Sequence, residues 1–386
     1  MSNILFVLYH DFTSNSAIHV HNFANQLAAF GHDVAVAVPD NKETVEDIGE
    51  RAYFAAAFHE YDGAWEAIFR DRKGPEVVHA WTPRENVRLF CEKLRGLASF
   101  TLVVHLEDNE ELILEVNLGS SFAELAQSRG ISFPGNLSHP HHYQRFLASA
   151  SGVTIIMDRL EKFVPPGTAA HILWPGADRR VFFSRPKDET LHGILGIPAE
   201  NIVLCYTGNV HSANAREVRS LYLAVAILNR EGTPVTLLRT GLDHCSFLGP
   251  DETWARSHSI DLGYLEHVRV GHMLSLADFL IQPGADDAFN EYRLPAKLPE
   301  FFAMGRPVIL PHTNLGRFVR HGEDAWVLPK VDALGIVAAL QTISTNPALI
   351  ERLSAGAIAF CDQHFNWEKN TRLLEEFYRR LGVTGC

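Results

Sequence analysis

Residues 290–309 read NEYRLPAKLPEFFAMGRPVI and gather groups able to grip an anion. Glu291 and Glu300 bracket Arg293 and Lys297 among prolines, directly ahead of a Pro-Val-Ile that reads as the start of a buried strand. A helix entrance near Pro295-Ala296-Lys297 would present free N–H groups and the positive end of its dipole, which suits phosphate. Lys297 and Arg293 add full positive charge, and Glu300 in the first turn can accept hydrogen bonds from a ribose diol. Pro295 and Pro299 are tolerated there because a first turn has no donor to lose. Each group also has a plainer reading. Glu300 alone would be a first-turn carboxylate favouring the helix by ~0.3–1 kcal/mol, and the two cations alone would be surface charges. Their convergence at one helix entrance favours a ligand site.

The elements that must position this cluster follow a strand–helix rhythm. In the first half, apolar runs at 3–9, 32–39, 76–81, 101–106, 152–157 and 171–176 read as parallel strands, mostly separated by amphipathic helices, the first of which stops at Gly31. The rhythm restarts at 201–208, with a helix over about 215–231, and continues through strands at 234–241, 261–265, 278–284, 306–311 and 324–329. Helices over about 333–346 and 347–361 complete it. Such alternation implies right-handed βαβ units and two open, doubly wound parallel sheets, an α/β fold. The Pro- and charge-rich stretch 175–189 reads as the hinge between them. Expected boundaries are 1–176 for a first domain, 177–364 for a second, and 365–386 for a C-terminal helix crossing back to the first.

Composition narrows the class. The chain has 386 residues, mean hydropathy −0.03 and net charge −12, which suits two soluble cores and offers no general surface for nucleic acid. No apolar run approaches the ~20 residues that span a bilayer, and the N-terminus reads as a strand, not a leader. A cytoplasmic protein with at most peripheral membrane contact is expected. Five scattered cysteines without a CxxC argue against a disulfide framework or a zinc cluster. The histidines of HPHHYQRF (139–146) are too close in a Pro-containing loop to form a metal site unaided. The loops after the first strand of each half, HDFTSNSA and GNVHSANA, lack GxGxxG, which disfavours a nicotinamide enzyme, and no P-loop or GxSxG is present.

Ligands of doubly wound sheets bind beyond the carboxyl ends of the strands. In the second half those positions hold Gly208-Asn209, Arg239, Gly263-Tyr264-Leu265 and the 284–300 loop. The whole pattern resembles family 4 glycosyltransferases, of the GT-B fold. The resemblance is carried by Pro-x-Lys-Leu-x-Glu followed by Met-x-Gly-x-Pro-Val-Ile, by GYL…MLSLADFLIQPG, by GEDAWVLP, by ILWPGADRRVF and by SAIHVHNFANQLAAFGHDVAVAVP. It implies two Rossmann-like domains facing across a cleft. It also implies retaining, metal-independent transfer of a hexose from a nucleotide sugar, with no further cofactor, to a glycan or lipid-linked acceptor.

On matching positions, Glu300 would contact the ribose, the backbone of Leu294, Pro295, Ala296 and Lys297 would meet the donor sugar and phosphates, and Tyr264 and Leu265 would border the base. His105 would line the cleft near the transferred sugar. The family's first paired Glu falls at Tyr292, with Glu291 one residue away, and either would touch sugar hydroxyls. The familiar Arg and Lys after the second domain's first strand are replaced by Asn209 and Asn214. The diphosphate would then rely on Lys297 together with some of Arg216, Arg239 and Arg293. Ser14, Asn15 and Ser16 replace glycines common in the first loop and would face the acceptor. Glu107 and Asp108 read as an acceptor rim, and 117–142, with Gly119, Gly130, Pro134 and Gly135, as an acceptor lid. Trp81 and Arg84 either shape an acceptor groove or pack. An epimerase, a phosphorylase-like enzyme or a non-catalytic sugar-nucleotide sensor on the same architecture are the alternatives.

Overall fold

The computed structural model describes residues 1–128 and 132–386 and divides into two compact units. The first comprises Met1–Pro175 with Trp367–Cys386, and the second Gly176–Asn366.

The first unit is built on seven parallel strands: β1 (Asn3–Leu8), β2 (Asp33–Val38), β3 (Phe54–Ala57), β4 (Val77–Trp81), β5 (Thr101–Leu106), β6 (Gly152–Ile155) and β7 (Ala169–Ile172). Their order is β3-β2-β1-β4-β5-β6-β7. The chain winds outward from β1 in one direction, then returns to β4 on its other side, so a switch point lies between β1 and β4. Apolar residues fill β1 from Ile4 to Leu8 because helices cover both faces of a parallel sheet. Register pairs Leu8 with Trp81 and Trp81 with His105, which aligns the carboxyl ends of the three central strands. The helix Asn15–Ala29 leaves β1 with the Ser14 hydroxyl accepting from the Ala17 N–H at 3.2 Å, a standard N-cap.

The C-terminal helix Trp367–Arg380 belongs to this unit and buries Leu374, Phe377 and Tyr378. The Tyr378 hydroxyl lies 2.7 Å from His79 Nδ1, inside the sheet's core. Close approach is possible because β6 begins with a glycine: a Cβ on Gly152 would sit 2.7 Å from Phe377 Cζ.

The second unit has six parallel strands: β8 (Ile202–Thr207), β9 (Val235–Thr240), β10 (Ser259–Asp261), β11 (Phe279–Ile281), β12 (Val308–Pro311) and β13 (Trp326–Leu328). They run in the order β10-β9-β8-β11-β12-β13, again with a switch, here between β8 and β11. The helix Ala215–Arg230 follows β8 and buries Val218, Leu221, Tyr222 and Val225 against Leu204, Leu237 and Phe279.

Three departures from the sequence reading go beyond shifted element ends. β3 was not anticipated, because Phe-Ala-Ala-Ala carries little β-branched or aromatic signal. The strand expected over 261–265 ends at Asp261, and Gly263 (φ 66°) turns the chain so that Tyr264 and Leu265 lie in the loop beyond it. The stretch read as a hinge packs into the second unit from Gly176 onward, with Phe182 fully buried beside the His267 ring. No single described helix is long and apolar enough to cross a membrane.

Because Phe377 fills the core of the first unit, Phe377→Ala should cost about 3–5 kcal/mol of that unit's stability, read as a lowered urea midpoint. An unchanged midpoint would show that the C-terminal helix contributes nothing to this core.

Candidate functional site

In the second unit, three strand-end loops converge on glycines. Gly208, after β8, has φ 136°, and its N–H donates to the Thr240 carbonyl at 2.9 Å. Gly241, after β9, has φ 119° and donates to the Gly263 carbonyl at 2.7 Å. A Cβ on Gly241 would fall 2.2 Å from the Gly208 carbonyl oxygen, so these backbones pack with no room for a side chain.

Lys297 stands over this floor. Its ammonium lies 3.4 Å from the Tyr206 hydroxyl and 4.5 Å from the centre of the Tyr206 ring. It would be 2.9 Å from a Cβ on Gly208. Among the described residues no carboxylate comes within ion-pairing distance of it. The helix it opens, Lys297–Ala303, is only seven residues long and its N-cap Ala296 has no capping side chain. The short helix therefore offers less dipole than the sequence suggested, and the full positive charge at its entrance is that of Lys297.

Glu300 sits one turn on, partly exposed. Burial in dense surroundings pushes its carboxyl up to about 8; Lys297 draws it down and Asp178 adds to the rise. Its carboxylate accepts no hydrogen bond from another described residue. The site thus holds a lysine without an ion-pair partner and an acid without a donor, side by side.

The 284–296 loop is organised around Asn290, 2% exposed. Its amide nitrogen donates to Glu217 at 2.8 Å and to Asp287 at 3.1 Å. Its amide oxygen accepts from Arg293 at 3.0 Å, and its carbonyl accepts from Asn314 at 3.0 Å. Arg293 also stacks on Phe289 at 3.7 Å. Glu291 faces Arg317 at 3.9 Å and keeps a partly exposed carboxylate, whereas Tyr292 is buried. Of the two alternatives for touching sugar hydroxyls, Glu291 is the more exposed. Leu294 and Pro295 are buried and Ala296 is exposed beside Lys297.

Other expected donor-site residues have different jobs. Arg239 is 1% exposed and engaged by Asp243, by Tyr222 at 3.1 Å and by Asp261 at 3.5 Å, so it is a structural cation with no charge to spare for phosphate. Asn209 accepts from the Leu242 N–H at 2.8 Å, and Asn214 donates to the Asn209 carbonyl at 2.9 Å. These two asparagines staple the loop. Arg216 is exposed at the start of its helix, and Tyr264 is 71% exposed with Leu265 half-buried next to it.

At the first unit's strand ends many polar groups pair with one another. Glu107 accepts from Ser16 and from Trp81 Nε1 at 2.6 Å, with His19 Nδ1 at 3.4 Å. Burial opposes its charge, but the His19, His105 and Ser16 interactions win and hold its carboxyl down at about 2. Ser14 is spent on its helix cap and Ser16 on Glu107, which removes both hydroxyls from the expected acceptor set; Asn15 is exposed and Asp108 half-buried. His105 is fully buried, its Nδ1 2.8 Å from Thr154, its ring 4.0 Å from Trp81, and its imidazole driven by burial to about 3. A neutral, solvent-free imidazole cannot reach a sugar, so the catalytic role expected for His105 is corrected to a core one. Arg84 lies over the Tyr9 ring at 3.7 Å and meets Glu110 at 3.4 Å; it packs, as does Trp81.

Of the expected lid, Gly130 lies outside the described residues. Gly135 and Leu137 are tied by their carbonyls to the N–H groups of Asn86 and Glu85 at 2.8 and 3.0 Å, which fixes that end. His139 and His142 stack at 4.0 Å, and no group of three or more metal-ligating side chains occurs among the described residues. Sequence reasoning missed Tyr206, Glu217 and Asn290. Tyr206 and Glu217 looked like ordinary strand and helix residues, and only Asn290's place at the head of the quoted run hinted at a role.

No family model matches the chain. Among curated proteins, D-inositol 3-phosphate glycosyltransferase of Thermobispora bispora is 24% identical over 245 residues, 59% of this chain and 54% of that protein. The amylovoran biosynthesis glycosyltransferase AmsK of Erwinia amylovora is 26% identical over 122 residues, 31% of this chain and 30% of that protein. The matches therefore span about half of one relative and under a third of the other. Among solved structures, sucrose-phosphate synthase from Thermosynechococcus elongatus aligns with TM-score 0.71 at 17% identity, covering 99% of both chains. HepE of Anabaena in complex with UDP and glucose aligns with TM-score 0.70 at 12% identity, covering 98% of this chain and 100% of that one. The fold is GT-B. The resemblance read from the sequence holds at that level, and the two curated relatives are glycosyltransferases by name. In this GT-B chain the open polar groups, Lys297 and Glu300, lie beyond β8 and β11, at the switch where such sheets receive ligands.

Glu300 also sets a pH signature. Folded, it keeps its proton to about 8, whereas unfolded it releases it near 4.5, so the folded state binds more protons in between. Stability should therefore fall as pH climbs from 4.5 to 8. Glu300→Gln should melt higher than the parent at pH 9 and equal to it at pH 4; identical melting at pH 9 would remove Glu300 from this account.

Proposed function

We propose that the chain is a retaining, metal-independent glycosyltransferase that moves a hexose from a UDP- or GDP-sugar to a hydroxyl of a glycan or lipid-linked saccharide. The observation that carries this reading is Lys297 seated on Tyr206 over Gly208, with no carboxylate in ion-pairing reach and the acid Glu300 beside it. A nucleoside diphosphate supplies what both lack: phosphate oxygens for the ammonium and a ribose diol for the carboxylate. The UDP in the HepE structure supports the same donor class, and the curated relatives are glycosyltransferases by name.

In the proposed reaction the bond from the sugar's C1 to the diphosphate oxygen breaks and a bond from C1 to the acceptor oxygen forms on the same face. The acceptor's proton passes to the departing phosphate. Negative charge grows on the diphosphate as C1 leaves, and Lys297 meets it in a site already shaped for it, where such stabilisation is strongest. Arg293 adds a second positive charge on the same loop, and Glu291 accepts from sugar hydroxyls.

Lys297→Ala should lower kcat/KM by about 10²–10³-fold, roughly 2.7–4 kcal/mol, as for loss of one preorganised donor. The measurement is acceptor-dependent release of nucleoside diphosphate across a panel of UDP- and GDP-sugars. Transfer at the parental rate would discard Lys297 as the diphosphate's partner. Release of diphosphate with an epimerised sugar and no acceptor would replace transfer by epimerisation.

A further inference from the structure

The replacement of the usual basic pair by Asn209 and Asn214 leaves open how a diphosphate's second charge is met, and the structure points to an acid. Glu217 stands in the first turn of the helix Ala215–Arg230, facing the 284–297 loop. Its carboxylate accepts from the buried amide of Asn290 at 2.8 Å, and a Cβ on Gly284 would lie 3.6 Å from the same oxygen. Asn290 passes the contact on, because its amide oxygen holds Arg293 at 3.0 Å. One carboxylate thereby fixes the orientation of a buried amide, and that amide fixes the guanidinium.

Resting on the donor-site reading above, we propose that Glu217 is a positioning residue that aims Arg293 through Asn290, and that it takes up a proton when a diphosphate binds beside Lys297. The charged groups that act on Glu217 from the neighbouring loop and short helix are Asp287, Arg293 and Lys297. Elsewhere its helix packs on Ala333–Ser344 and on the turn Pro250–His258, where Arg219 pairs with Glu252. Burial raises the Glu217 carboxyl above its ordinary value; Asn290, Arg293 and Lys297 restrain that rise, and Asp287 adds to it. A diphosphate neutralises both cations. The restraint is lost, the carboxyl becomes a weaker acid, and it binds a proton. The neutral carboxyl no longer sets a negative charge against the incoming phosphates, and its O–H can remain hydrogen-bonded within the same polar cluster.

The test is calorimetric titration of the whole chain with UDP and GDP in two buffers of different ionisation enthalpy, comparing the parent with Glu217→Gln. Any proton released by the nucleotide or by Glu300 is common to both and cancels in the difference. The parent should take up more protons per bound nucleotide than Glu217→Gln. Its affinity should fall with rising pH by up to tenfold per unit relative to the variant. Asn290→Ala should weaken binding in the parent as much as Arg293→Ala does, and the double variant should weaken it no further. Equal proton counts in the parent and Glu217→Gln, or full additivity of the Asn290 and Arg293 changes, would overturn the proposal. Absence of nucleotide binding in every form, the folded parent included, would instead overturn the donor-site reading on which it rests.

Discussion

The second unit depends on one placement: an ammonium held against backbone. Lys297 can occupy its position only because Gly208 has no side chain and Gly241 allows two loop backbones to touch. Both glycines have positive φ, which an L side chain would strain. Tyr206 then supplies an aromatic face and a hydroxyl as the seat. The cation is thus oriented by neutral groups, and its charge stays available. A salt bridge would have held it as firmly but cancelled the field that makes it useful.

Two carboxyls flank this cation and respond to it differently. Glu300 has no hydrogen-bond donor among the described residues, so burial dominates and it is protonated at neutral pH. Glu217 has Asn290, which favours its ionised form and partly offsets the same penalty. A ribose diol would give Glu300 the donors it lacks and make it a stronger acid, while a diphosphate would take from Glu217 the cations that restrain it. The expected proton movements are opposite in sign, so a nucleotide that engages both can bind with little net proton exchange even though each group titrates.

Much of the architecture was legible in the sequence because parallel strands buried on both faces carry apolar runs, and those within Ile202–Thr207 or Asn3–Leu8 can be little else. The quoted run 290–309 likewise showed its charges in plain order. What the sequence concealed was pairing between distant segments. Arg239 looked like a free cation at a strand end, yet Asp243, Asp261 and Tyr222 close around it. Ser16 looked like a loop hydroxyl, yet it is spent on Glu107 across 91 positions of chain. Glu217 lies 73 positions from Asn290, so neither could reveal the other. Local pattern fixes elements, but a polar group's role is set by its partner, and partners are tertiary.

That difference also separates the two sheets. At the carboxyl ends of β1, β4 and β5 most carboxylate oxygens are already answered: Ser16, Trp81 and His19 surround Glu107, and Ser138 and Arg84 reach one oxygen of Glu110, whose other oxygen is buried without a partner among the described residues. The exceptions are small and buried. Thr82 holds φ 82°, costly for a β-branched residue, and its hydroxyl and His105 Nε2 have no hydrogen-bond partner among the described residues. Such a strand end is rigid and self-satisfied, suited to shape and to hydroxyl contacts at its rim. The second sheet's strand ends leave Lys297 without an ion-pair partner and Glu300 without a hydrogen-bond donor among the described residues. An unpaired ammonium is costly in the empty protein and a ligand of opposite charge would complete it, so the anion-binding half of the proposed chemistry falls to the second unit.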